Sequence, residues 1–171
     1  MLKLFTIALP ATSGKKLIHS SKLFSYINSD FANWGLDRTE NKTSKMNVDV
    51  LEMDKDATFK ELFLNPDKMW MTQEQILYFV KNHKNKLRQE GWANFFLLKK
   101  DDVFFVARVD VHSGGSLKVL VYQFVHADVW YAEYRHRLVV PQLADTLTLS
   151  PFDPSDFKIT YQGVKYKLVK E

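Results

Sequence analysis

Three residues in the middle of the chain carry the chemistry of a general acid–base site: Arg108, Asp110 and His136. A carboxylate can orient an imidazole as a proton acceptor, and a guanidinium can hold an anionic substrate through paired hydrogen bonds. Arg108 and Asp110 are two positions apart, so on a strand both side chains leave the same face. Gln123, His112 and Tyr134 are the polar groups that neighbouring strands could add. The trio is the candidate catalytic set of a small enzyme acting on an anionic substrate. The plainer reading is an ion pair with a cross-strand histidine, since the chain presents no nucleophile in a recognisable setting.

Two other sets could hold anions. Pro10-Ala11-Thr12-Ser13-Gly14-Lys15-Lys16 has the outline of a phosphate loop between a strand and a helix. Leu9 stands where the first glycine belongs and Lys16 where a magnesium-binding Ser or Thr belongs, which argues against nucleotide hydrolysis of that type. What remains is Lys15 and Lys16 beside the free amides of a helix start. The second set, Lys81, Lys84 and Arg88, forms a basic stripe on one helix. With Lys99, Lys100, Arg135 or Arg137, and with exposed aromatics such as Tyr122, Trp130 or Tyr131, it would suit single-stranded nucleic acid. Glu74, Glu90, Asp101 and Asp102 dilute the stripe, as expected of a solvated helix face.

The five histidines fall into no metal-ligand spacing and the chain has no cysteine, so no metal, thiolate site or cofactor is expected.

The elements that must position these residues follow from pattern. Asn94 to Val140 reads as consecutive antiparallel strands, NFFLLKK, VFFVARVDVH, SLKVLVYQFVH and VWYAEYRHRLVV, with turns at Lys100-Asp101-Asp102, Ser113-Gly114-Gly115-Ser116 and His126-Ala127-Asp128. Before this β-meander, Leu2 to Leu9 reads as a strand, Lys15 to Trp34 as a helix with Leu17, Phe24, Ile27, Phe31 and Trp34 on one face, and Met46 to Met53 as a strand. Together they predict an N-terminal β-α-β unit whose strands could lie parallel. Thr58 and Glu61 have capping-box spacing, as do Thr72 and Gln75. The latter pair starts an amphipathic helix from Thr72 to Glu90, with Ile76, Phe79, Val80, His83 and Leu87 facing inward. Pro141 to Asp156 reads as irregular, and Phe157 to Val169 as a hairpin around Gln162-Gly163.

A tight turn at Gly114-Gly115 would set Asp110 opposite Val119, Arg108 opposite Val121 and Val106 opposite Gln123, with Val119 facing His136 on the next strand. That register gathers Arg108, Asp110, Gln123 and His136 on one face and leaves both faces of the sheet largely apolar. The helices can cover one face, and the second then calls for the N-terminal unit, the C-terminal hairpin or a partner chain.

The 171 residues fit a single α+β domain over 1–171, and 46% hydrophobic with 14% aromatic content is enough for a core. A net charge of +4 and a pI near 9.1 permit a nucleic-acid partner without requiring one. The opening MLKLFTIAL is too short and too charged for a signal peptide, and no run approaches the ~18 apolar residues of a membrane span. The Asn41-Lys42-Thr43 sequon is read as chance. These features predict a mildly basic, soluble, cytoplasmic protein without membrane contact. Its expected function is that of a non-catalytic binding or interaction module, using a sheet face or the basic helix, with a protein partner or homodimerisation. The small enzyme and single-stranded nucleic-acid binding are the alternatives.

Overall fold

Six consecutive buried residues, Ala93 to Leu98, mark the centre of the fold. A strand buried on both faces needs a neighbour on each edge and a layer on each side. The computed structural model describes residues 1–142, 158–161 and 164–167. In chain order the elements are β1 (Leu2–Leu9), β2 (Tyr26–Ile27), α1 (Asp30–Asn33), β3 (Met46–Glu52), α2 (Phe59–Leu62), α3 (Pro66–Met69), α4 (Gln73–Asn82), β4 (Ala93–Lys100), β5 (Val103–Val111), β6 (Leu117–Gln123), β7 (Arg137–Pro141), β8 (Lys158–Tyr161) and β9 (Val164–Lys167).

Seven strands form one mixed sheet in the order β1-β3-β7-β4-β5-β6-β2, with β4 in the middle. The β4–β7 and β6–β2 pairs are parallel and the other four are antiparallel. The expected antiparallel meander therefore stops after β6. The fourth predicted strand does not follow its neighbour: β7 inserts between β3 and β4 instead. The aromatic run before it is not strand. Trp130 makes an isolated bridge to Ala57, Ala132–Tyr134 is a 3-10 turn, and Arg135 is left-handed at φ 52°. Its strand-forming residue types serve a crossing segment that lies on the sheet, an instance of burial overriding β propensity.

The N-terminal β-α-β unit is also corrected. β1 and β3 are neighbours but antiparallel, and of the predicted Lys15–Trp34 helix only Asp30–Asn33 is helical. Leu17, Phe24 and Phe31 are buried all the same, placed by irregular chain that is tied to the rest of the protein. Ser25 N donates to Leu117 O at 2.8 Å, and Ile18 N donates to the Gln73 side chain at 2.9 Å. The amphipathic helix is present but shorter than predicted, ending at Asn82. Leu87 then reaches the core from an extended backbone.

Two apolar layers cover the sheet. Ile76, Phe79 and Val80 of α4 pack with Ile18, Phe31, Ala107, Val109 and Val119 on one face. Phe59, Leu62 and Phe63 pack with Phe95, Val106, Leu138 and Trp130 on the other. Both faces are therefore clothed by this chain among the described residues, the second by Phe59, Leu62, Phe63 and Trp130. At its far margin β1 carries Lys3 and a register break between Lys3 and Phe5, features that discourage further strand pairing.

β8 and β9 pair as the predicted hairpin, in a separate two-stranded sheet. Residues 143–156 of the predicted irregular stretch, and the predicted hairpin's residues 157, 162–163 and 168–169, lie outside the described residues. Among the described residues no helix is long and apolar enough to cross a membrane.

Candidate functional site

The β5–β6 register differs by one residue from the sequence expectation: Arg108 faces Leu120, Asp110 faces Lys118 and Val106 faces Tyr122. A wider turn causes this, with His112 N donating to Ser116 O and Gly115 N to His112 O. The one-residue shift exchanges the faces of β6, so Val119 and Val121 join Val109 and Ala107 in the α4 layer. Arg108 and Asp110 stay on the opposite face.

There the predicted trio gathers around Trp130. Arg108 Nε donates to Asp110 at 2.8 Å, and the guanidinium lies over the Trp130 ring at 5.4 Å. His136 meets the same ring edge-on at 5.5 Å, and its Nδ1 accepts from Ala93 N at 3.2 Å. Asp110 and His136 are 5% and 4% exposed, so water has little access to either. Burial, reinforced by the charges of Arg108 and Arg88, pushes the His136 pKa down to about 4. Burial opposes the charge on Arg108, but the bond to Asp110 outweighs it and the pKa is raised. The imidazole is neutral, with one nitrogen bonded to backbone. Phe59, Phe95 and Tyr122 complete an aromatic cover around Trp130.

A second polar cluster lies on the other face, at the start of α4. Thr72, Gln73, Glu74 and Gln75 are consecutive, polar and at most 8% exposed. Thr72 closes the capping box, and the other three bind irregular chain from two loops. The Gln73 side chain accepts from Ile18 N and donates to Leu36 O at 2.8 Å, while its own backbone N–H donates to the Glu40 carboxylate at 2.7 Å. Glu74 accepts from the Ser13 hydroxyl at 2.9 Å and Lys15 N at 3.2 Å, and pairs with Lys16 at 3.3 Å. Gln75 closes the capping box with Thr72 and donates to the Thr43 hydroxyl at 3.2 Å. This turn gathers loops 10–16 and 38–43 against the helix.

Gly14 fixes the contact between those loops. Its φ of +73° favours glycine, its carbonyl accepts from Glu40 N at 2.9 Å, and a Cβ there would come within 2.1 Å of Glu40 O. Beside it Thr12 and Thr43 exchange both backbone hydrogen bonds at 3.0 Å and join hydroxyls at 2.7 Å. Glu74 is buried, which works against its charge, yet Ser13, Lys16 and the Lys15 amide hold its carboxyl below the usual range. Glu40 fares differently: burial outweighs its bonds to Gln73 and raises its pKa to about 7.

The gathered loops leave a cleft on each side of the Thr12–Thr43 tie. One, of about 730 Å³, runs between loop 10–23 and α4 and contains Lys15, Lys16 and Lys81 with Tyr78. The other, of about 360 Å³, contains Arg38, Lys42, Lys99 and Lys100 with Trp70 and Glu40. Three of the five basic residues singled out in sequence thus share one cleft. Lys84 and Arg88 do not: Lys84 Nζ donates to Gly115 O at 3.3 Å and Arg88 Nε to Tyr134 O at 3.4 Å, beyond the end of α4.

No protein-family model, no curated protein and no solved structure matches the chain.

Sequence reasoning missed Arg38, Lys42, Glu40, Gln73 and Glu74. One signal was in view: Thr72-Gln73-Glu74-Gln75 begins a helix with four polar residues, and only the capping pair has a local reason to be there. The partners lie 29 to 61 positions away, too far for any local pattern to link them.

Proposed function

We propose that this protein is a non-catalytic binding module that holds an anionic ligand in the cleft between loop 10–23 and α4. The supporting observation is the convergence of Lys15, Lys16 and Lys81 on one concave surface with the Ser20, Ser21 and Asn82 side chains. The first two cations come from a loop and the third from the far end of α4, brought together by the buried turn at its start. Lys16 is paired with Glu74, whereas Lys15 and Lys81 are exposed with no side-chain partner among the described residues and able to meet an anion. The helix amides are not the ligands, because Glu40 and the capping box already occupy them. Side chains would do the binding, with attraction that salt weakens.

The trio around Trp130 supports the module reading in another way. Arg108 is paired with Asp110 and His136 with the Ala93 amide under aromatic cover, while the buried Trp130 indole N–H has no partner among the described residues.

The test is calorimetric titration with tripolyphosphate at low salt. Saturable binding that disappears when Lys15→Glu and Lys81→Glu are combined is the expected result. Absence of binding, or equal binding by the double variant, rejects the reading.

A further inference from the structure

The two clefts are halves of one surface. Thr12 lines the first and Thr43 the second, and these residues are bonded to each other through backbone and hydroxyls. Gln73 lines one and Glu74 the other, as adjacent residues of the same helical turn. Around the pair stand seven basic side chains and three carboxylates, Glu40, Glu74 and Asp101. Lys16 pairs with Glu74, Lys99 with Asp67 and Asp102, and Lys100 with Asp101, which leaves Lys15 and Lys81 in the first cleft and Arg38 and Lys42 in the second as the exposed cations without a carboxylate partner among the described residues. An aromatic residue accompanies the cations on each side, a part-exposed Trp70 in one cleft and Tyr78, 37% exposed, in the other.

Resting on the anion-binding reading above, we infer that the ligand is a single strand of nucleic acid that crosses the Thr12–Thr43 tie and occupies both clefts. A small anion would need one cleft and no ring. A run of cations on both sides of a narrow ridge, with an aromatic side chain in each half, matches a strand whose phosphates are neutralised in succession while its bases stack. A duplex would keep its bases stacked inside and leave the Trp70 and Tyr78 rings without a base to stack on. Backbone neutralisation and stacking do not depend on base identity, so the binding is expected to be tolerant of sequence.

Fluorescence anisotropy with a labelled oligothymidylate of about 16 nucleotides, near the upper site size of small binding folds, tests the inference. The pair Arg38→Glu and Lys42→Glu alters only the second cleft, and Lys15→Glu with Lys81→Glu only the first. These side chains are exposed, so both variants should keep the native far-ultraviolet spectrum, and Arg38→Gln with Lys42→Gln gives a milder check. Each charge-reversed pair is expected to weaken binding at least about tenfold, and the glutamine pair to lower the logarithmic salt slope by about 1.4, at roughly 0.7 per phosphate contact. Oligonucleotide binding that ignores the second-cleft pair overturns the continuous strand and leaves the first-cleft reading intact. So does binding of tripolyphosphate without binding of the oligonucleotide. If neither ligand binds, both readings fall.

Discussion

The polar cluster at the start of α4 and the one around Trp130 are buried on opposite faces of the same sheet, yet they handle charge in opposite ways. Around Trp130 the charged and imidazole groups are matched inside the cluster, Arg108 to Asp110 and His136 to the Ala93 amide, while the Trp130 indole N–H is left unpartnered among the described residues. Rings then cover the set. At the start of α4 the buried groups bind backbone from two separate loops, and those loops carry their lysines and arginine outward. The first arrangement consumes its chemistry internally, which gives rigidity and specificity of packing. The second uses buried polarity as scaffolding and leaves Lys15, Lys81, Arg38 and Lys42 available. Burial of polar residues thus says little about function until their partners are known.

The largest expected effect comes from separating the two loops. Gly14→Ala forces a left-handed alanine against the Glu40 carbonyl and should cost about 3–5 kcal/mol, read from urea unfolding. Any fraction that remains folded should have lost tripolyphosphate binding. A variant with native stability and binding would break the claim that this contact builds the clefts.

Next is the cluster around Trp130. Asp110→Ala leaves the Arg108 guanidinium without its partner in a mostly buried site and should cost about 3 kcal/mol. Arg108→Met combined with Asp110→Leu should recover much of that loss, because it removes both charges together. Failure of the double variant to recover would mean the pair has a role beyond matching itself.

Acid sharpens the contrast further. His136 has a folded pKa near 4 against 6.5 unfolded, so the unfolded chain takes up the proton first. The stability this histidine confers is complete above pH 6.5 and is lost as pH falls toward 4, by at most about 3 kcal/mol. Glu40 runs the other way. With a folded pKa near 7 against 4.5, the native state holds the proton longer, so its contribution is complete below pH 4.5 and is lost as pH rises through 7. Solvent in the adjoining cleft limits this to about 1–2 kcal/mol. Stability of His136→Phe should therefore fall less than wild type between pH 6.5 and 4, and Glu40→Gln should lose less between pH 4.5 and 7. Parallel curves for all three proteins would remove the distinction.

Smallest in stability, and most telling for function, is Lys81→Ala. An exposed cleft lysine should change unfolding by less than about 0.5 kcal/mol while weakening tripolyphosphate binding. Loss of both together would move Lys81 from ligand binding to structure.

Much of this was readable along the chain where the physics is local. The hairpin β4–β5 turns at Asp101 and Asp102, both left-handed as a two-residue turn requires, and Asp tolerates that conformation. The capping box at Thr72 and Gln75 formed as its spacing predicts. Arg108 and Asp110 share a face because alternation along a strand is a property of the backbone. Elsewhere local pattern misled. Leu17, Phe24, Ile27, Phe31 and Trp34 have helical spacing, yet hydrogen bonds donated by the Ile18 and Ser25 amides to Gln73 and Leu117 hold their segment in irregular chain. The run from Val129 has strand composition, but it crosses the sheet and supplies the Trp130 cover.

What the sequence determined by itself was the inventory: which segments are apolar enough to be buried, where the tight turns fall, and that the chain has basic residues to spare with no cysteine. Tertiary structure alone decided the neighbours. β7 chose β3 and β4 over β6, one residue in the turn after β5 set which face Val119 joins, and the polar turn at Thr72 drew Lys15, Lys16 and Arg38 into one region from separate loops. Local pattern is written by backbone periodicity and turn sterics, which act over a few residues. Neighbours across the fold are selected by matching buried polar groups and filling apolar layers, and those energies exist only once the whole chain has come together.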